Sequence, residues 1–157
     1  GVVVWNPRNG EALRGMLQEV ALNPPSGPLF IRYPKARTEG EHRAKFAPYE
    51  WLSTADSKVL WVSTGAISDL MKNEGNHLHL AQVWPFFDDF GQILSRFDEI
   101  HVFEESTGLG GLGGGIAALV EDMVPRPKLV LHKLPPTFIE HGPRLSLLKE
   151  HGFDSFL

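Results

Sequence analysis

The sequence predicts an α/β protein: a three-layer, doubly wound, mostly parallel sheet, preceded by a βαβ unit. Three observations carry this. From Lys58 onward, short apolar runs alternate with stretches of helical periodicity in the order β-α-β-α-β-α-β-α, the pattern of a doubly wound sheet. Within Asp98 to Asp122, Ile100, Val102 and Phe103 read as a buried strand. Glu104 to Gly115 follows as a loop with six glycines, and then Ile116, Leu119, Val120 and Met123 recur at helical spacing. Strand, glycine loop and helix make half of a parallel crossover unit. Finally, Val2, Val3 and Val4 are consecutive and apolar, as in a parallel strand covered on both faces.

Taken in order, Gly1 to Trp5 is a strand and Asn6-Pro7 turns the chain. Glu11 to Leu22 is helical, with Leu13, Met16, Leu17 and Val20 on its inward side. After the breakers Asn23 to Pro28, Leu29 to Tyr33 is a second strand. Two parallel strands and one helix leave a face and strand edges uncovered. This unit is therefore expected to complete its sheet with strands from upstream or from another chain. Pro34 to Ser57 lacks periodicity and reads as a connector, pinned to a core by Phe46, Tyr49, Trp51 and Leu52. Lys58 to Val62 is a strand, Ala66 to Lys72 a short helix, and His77 to Trp84 one strand stopped by Pro85. Asp88 to Phe97 is a helix capped by Asp88 or Asp89, with Phe90, Ile93, Leu94 and Phe97 inward. Lys128 to Leu134 is a strand closed by Pro135-Pro136. Pro143 to His151 is the last helix, with Gly152 as its stop.

The 157 residues suffice for one good core, or one domain and a piece of another. A net charge of -4 argues against a nucleic-acid or anionic-membrane surface. No apolar run nears the length of about 18 residues that crosses a bilayer. The absence of cysteine excludes disulfides and thiolate metal sites, and suits a cytoplasmic protein. Charge is uneven: Arg32, Lys35, Arg37, Arg43 and Lys45 put five of the 15 basic residues into 14 positions. This cluster is either a solvated linker or the edge of an anion site.

Several motifs bear on chemistry. Gly108, Gly110 and Gly113 satisfy G-x-G-x-x-G after a strand and before a helix, the dinucleotide fingerprint. Its acidic ribose partner, about 20 positions on, is missing: no Asp or Glu lies between Met123 and Glu140. The glycines are read instead as letting the helix N-terminus pack close to the sheet. His77 and His79 share one face of a strand; with no Cys and no adjacent third ligand, they read as an edge or interface pair rather than a metal site. Glu104 and Glu105 stand at the carboxyl end of a strand, where such sheets place ligands. They are expected to accept hydrogen bonds from loop N–H groups or to face a partner subunit, an acid/base pair being the other reading. His141 either orients its loop or acts on substrate. No complete catalytic set appears. The best candidate is Arg32-Tyr33-Pro34-Lys35 at the end of the second strand. Its cations suit a phosphate or carboxylate; the equal alternative is a salt-bridged connector.

The same residues carry a resemblance. GPLFIRYPKA, the strand-end EE with GGLGGGIAALVED after it, and LPPTFIEHGPRLSLLKEHGFD resemble the C-terminal third of the 1-deoxy-D-xylulose-5-phosphate synthases. These belong to the transketolase-like thiamine diphosphate enzymes. The likeness covers nearly the whole chain in the right order, and FIEHG, a helix and GFD are its most specific piece. It implies the tail of a pyrimidine-binding domain plus linker over 1–40 and a transketolase-like C-terminal domain over 41–157. It implies a transferase that condenses pyruvate with glyceraldehyde 3-phosphate, losing carbon dioxide, for isoprenoid precursors and, in bacteria, thiamine. Thiamine diphosphate and magnesium would serve the full-length enzyme, a cytoplasmic homodimer, and neither is expected on these residues alone. Lys35 takes the place of the arginine that holds the substrate phosphate in the family. It keeps the charge and loses the bidentate fork. The expected role here is substrate binding by Lys35 and Arg32, with no catalytic residue. The alternative is a separately encoded, non-catalytic subunit of the same fold.

Overall fold

The computed structural model describes residues 1–34, 45–72, 75–108 and 110–157. Lys35, Arg37 and Arg43 lie outside the described residues, as does the expected domain boundary near residue 40. Two sheets organise what is described. The small one is built from β1 (Val3–Trp5), α1 (Gly10–Leu22) and β2 (Leu29–Ile31), with β1 and β2 parallel. Asn9 starts α1: its Oδ1 accepts from the Ala12 N–H at 3.0 Å, satisfying one of the helix's orphan donors.

The large sheet has five strands. They are β3 (Tyr49–Ser53), β4 (Val59–Ser63), β5 (Asn76–Leu80), β7 (Glu99–Glu104) and β8 (Lys128–Lys133), in spatial order β3-β5-β4-β7-β8. All neighbours are parallel except β3 against β5. Strand alternation sends Leu60, Val62, Leu78, Leu80, Ile100 and Val102 to one face. There they meet α2 (Phe90–Leu94) and α3 (Leu112–Glu121) through Phe90, Leu94, Ile116 and Val120, all fully buried. The other face carries Trp61 and Phe103 against Ile67, Met71, Leu148 and Phe153, supplied by a 3-10 turn at Gly65–Ile67, by α4 (Arg144–Leu148) and by the chain end. The architecture is thus three layers, α/β and mostly parallel.

Several expectations are corrected. The connector Pro34 to Ser57 contains β3, whose pairing to β5 rather than its own periodicity makes it a strand. The single strand His77 to Trp84 is two: β5 leaves the large sheet at Ala81, and β6 (Gln82–Trp84) pairs antiparallel with β1 in the small one. The free edge of β1 is therefore covered from within this chain. The helix Ala66 to Lys72 shrinks to the 3-10 turn. The helix Asp88 to Phe97 shrinks to Phe90–Leu94, with Asp89 at its N-cap but making no side-chain capping bond. Leu17 is 54% exposed; three short strands are too narrow to cover the whole apolar stripe of α1. The helix Pro143 to His151 shrinks to Arg144–Leu148 and runs on as a π turn, Lys149–Phe153, whose helical geometry breaks at His151 and at Gly152, where φ is +91°.

The two sheets are also clamped by charge. Arg8, just before α1, pairs with Glu50 of β3 (Nε to Oε2 3.1 Å) and with Asp69. Asn9 Nδ2 donates to Asp69 Oδ2 at 2.8 Å. Because the cluster is partly exposed, Arg8→Met is expected to cost only about 1 kcal/mol in urea unfolding. An unchanged midpoint would show that the clamp is idle.

Candidate functional site

The site forms where the large sheet changes direction. From β4 the chain moves on to β5 on one side, and from β7 to β8 on the other, so β4 and β7 flank a topological switch point. Sheets of this type leave a crevice there, beyond the carboxyl ends of the strands. A cleft of about 530 Å³ occupies the place. Thr64 and Gly65 line it from the end of β4, and Glu104, Glu105 and Ser106 from the end of β7. The small sheet adds Val4, Asn6, Arg32, Tyr33 and Pro34, and β6 adds Trp84. The main-chain bonds from Arg32 N–H to Trp5 O (2.9 Å) and from Asn6 N–H to Ala81 O (2.7 Å) fix those residues against the rest. Gly65 takes φ +72°, and a Cβ there would press on the Asn6 amide at 3.1 Å, so the tight turn and the close approach both call for glycine.

Glu104 is 4% exposed. Its carboxylate accepts from the N–H groups of Leu112 (2.8 Å) and Gly113 (3.0 Å) and from the Ser106 hydroxyl (2.8 Å). The amides at the start of α3, with the positive end of its dipole, form an anion cradle, and the protein's own carboxylate fills it. The glycine loop thus resembles the dinucleotide fingerprint in letters and differs from it in occupancy. Close packing explains its glycines: a Cβ on Gly113 would sit 3.0 Å from the Leu131 side chain, and one on Gly111 2.2 Å from Glu104 Oε2. Gly111→Ala is expected to destabilise by about 2 kcal/mol through this overlap. A thermal midpoint equal to wild type would mean that Glu104 is not held where it is described.

Glu105 pairs with Arg144, the first residue of α4, through both carboxylate oxygens; Arg144 Nε lies 2.8 Å from Oε2. The expectation that these glutamates meet loop N–H groups thus holds for Glu104, while Glu105 takes a side-chain cation. Sequence reasoning missed Arg144. Only the spacing of EE at a strand end and Arg at a helix start was visible, and nothing along the chain ties the two together.

The remaining candidates separate. Arg32 lines the cleft, and its guanidinium makes no hydrogen bond or ion pair among the described residues. Lys35 lies outside the described residues. His141 is exposed and is not among the cleft residues. His77 and His79, expected at an edge, are each 2% exposed, because β3 covers β5. Ser63 Oγ lies 2.7 Å from His77 Nε2 and 2.8 Å from Ser68 Oγ, which lies 2.8 Å from His79 Nδ1. His79 Nε2 is buried without a hydrogen-bond partner among the described residues. Burial pushes His77 down to about 4, against the opposing charge of Asp69. It pushes His79 down to about 3, helped by Arg8.

The described residues do not fit the cofactor that the resemblance implies. They contain no group of three or more His, Cys, Asp or Glu able to hold a metal ion, and the α3 amides that could meet an anion are taken by Glu104. No helix of the described residues is long and apolar enough to cross a membrane.

Comparisons with known proteins bear on the fold. No protein-family model matches the chain. It is 27% identical, over 99% of its length, to the 1-deoxy-D-xylulose-5-phosphate synthase of Chlorobium phaeovibrioides, and 25% identical over 98% to that of Cytophaga hutchinsonii. Over 41% of the chain it is 34% identical to that of Aromatoleum aromaticum. The chain spans 27% of the length of the first two relatives, matching their C-terminal part. Among solved structures, an inactive beta4 tetramer of a split-gene transketolase superposes with a TM-score of 0.77 at 21% identity. That match covers 96% of this chain and 53% of the other. The fold is transketolase-like, and nearly the whole chain is similar to the C-terminal part of 1-deoxy-D-xylulose-5-phosphate synthases.

Proposed function

We propose that this chain acts as the C-terminal portion of a 1-deoxy-D-xylulose-5-phosphate synthase, a thiamine-diphosphate-dependent, transketolase-type transferase. The whole enzyme would condense pyruvate with glyceraldehyde 3-phosphate, with loss of carbon dioxide, in isoprenoid precursor synthesis. Thiamine diphosphate, anchored by magnesium on other parts of the enzyme, would supply the carbanion. These residues would contribute binding. Arg32, and Lys35 beyond it, would hold the substrate phosphate at the mouth of the cleft, while the α/β domain supports a homodimer. The division at residue 40 into a pyrimidine-domain tail and a C-terminal domain belongs to the same reading.

The observation that supports it most is Arg32: a guanidinium with no hydrogen-bonding or ionic partner among the described residues, at a switch-point cleft, in a motif that resembles that of the synthases. The test is an assay of the 157 residues with pyruvate, glyceraldehyde 3-phosphate, thiamine diphosphate and magnesium, beside calorimetry with the phosphate ester alone. Binding without turnover is expected. An Arg32→Met, Lys35→Met double variant should weaken binding by about 100-fold. Turnover by these residues, or binding that ignores both substitutions, would overturn the proposal.

A second reading is a separately encoded module that completes an active site in trans. The fold neighbour favours it, being itself an inactive tetramer of a split-gene enzyme. Activity that appears only on mixing with a separately made upstream portion would select this reading.

A further inference from the structure

We infer that Arg144 is a second anion-holding residue of the cleft, kept engaged by Glu105 until a phosphate monoester displaces that carboxylate. This rests on the reading of the cleft as a phosphate site, and adds a residue to which the resemblance gives no role. Arg32 and Arg144 reach the same cleft from opposite ends of the chain. Their situations differ. Arg32 has no hydrogen-bonding or ionic partner among the described residues. Arg144 offers Nε and Nη2 to the two oxygens of Glu105.

The pair is not sealed: the side chains of Arg144 and Glu105 are 38% and 28% exposed. The other acid at the cleft floor, Glu104, is committed to the amides of α3 and to Ser106. It therefore neither competes for Arg144 nor adds an uncompensated negative charge. Among the described residues the cleft thus holds one loose balanced pair and one unbalanced cation. A phosphate monoester presents three terminal oxygens, more than one guanidinium fork can take. Carboxylate and phosphate accept the same fork from arginine. Exchange of Glu105 for phosphate therefore keeps the Arg144 bonds, and a partly exposed ion pair opposes it only weakly.

The test is titration calorimetry of glycerol 3-phosphate into the full chain and into Arg144→Met, Glu105→Gln and Arg32→Met, with inorganic phosphate and pyruvate run beside it. Arg144→Met and Glu105→Gln break the same pair, so their thermal midpoints should fall alike. Their binding should move in opposite directions: about tenfold weaker for Arg144→Met and about threefold tighter for Glu105→Gln, which frees the cation. A merely structural pair would weaken binding in both variants or in neither, and either result overturns the inference. If Arg32→Met loses binding while Arg144→Met keeps it, the phosphate reading stands and this inference falls. If the wild-type chain binds no phosphate ester, both fall. Binding of pyruvate with the same pattern would overturn the phosphate assignment in favour of a carboxylate.

Discussion

Glu104→Ala should lower the stability of this protein by about 3 kcal/mol, because the carboxylate is the acceptor for two buried amides. The Leu112 and Gly113 N–H groups open α3 against the sheet, and both are buried where Glu104 accepts from them. Alanine leaves those donors unpaired, strands the Ser106 hydroxyl and removes the negative charge that the helix N-terminus favours. Glutamine is no remedy, since its amide would face a donor with a donor. The measurement is urea unfolding, with Glu104→Ala expected to shift the midpoint and leave the slope alone. A loss under about 0.5 kcal/mol would mean that water or another group satisfies α3 and that the cradle is not closed. The double variant with Gly111→Ala should be only slightly worse than Glu104→Ala, because the 2.2 Å overlap at Gly111 is with the carboxylate removed and the remaining 2.7 Å approach is to the Ser106 hydroxyl, which can rotate away.

Acid should cost more still. His77 and His79 have folded pKa values of about 4 and about 3, against 6.5 when free. The unfolded chain therefore binds more protons than the folded one below about pH 6.5, so stability falls as pH falls. The loss continues until the pH reaches the folded values, near 4 and then near 3. By pH 5 each ring should have removed about 2 kcal/mol relative to pH 8. His132, lowered by burial and by His101, acts in the same direction. The structural cause is plain at His79: a charged imidazole would carry an N–H on Nε2, where no acceptor lies among the described residues. Unfolding free energies at pH 8 and pH 5 test this, with His79→Gln as control. The variant should lose about half of the pH-dependent drop. An undiminished drop would assign the acid sensitivity to other groups.

Legibility varied with the range of the interactions. The glycine-loop crossover was visible because its signals are local: an apolar run, a cluster of glycines and a 3.6-residue period occupy one short stretch. The dinucleotide fingerprint could be set aside from the missing acid after the next strand. That Glu104 accepts from loop N–H groups was legible at the strand end; which amides it meets was not, because they lie eight and nine positions on around a loop of unknown path. The strand β3 was missed for a related reason. YEWLS has one partner, β5, and a periodicity too short to announce itself. The break at Ala81 was hidden because His77 to Trp84 is uniformly suited to strand, and only the competing claim of β1 splits it.

By itself the sequence determined the fold class, most of the succession of strands and helices from Lys58 onward, and the motif that brings Arg32 to a strand end. Those properties follow from side-chain periodicity and backbone preference, which act over a few residues. The tertiary structure alone decided that β6 pairs with β1 in the small sheet, that His77 and His79 are buried, and that Glu105 meets Arg144. Each depends on which distant segments pack together, and chain spacing carries no record of that.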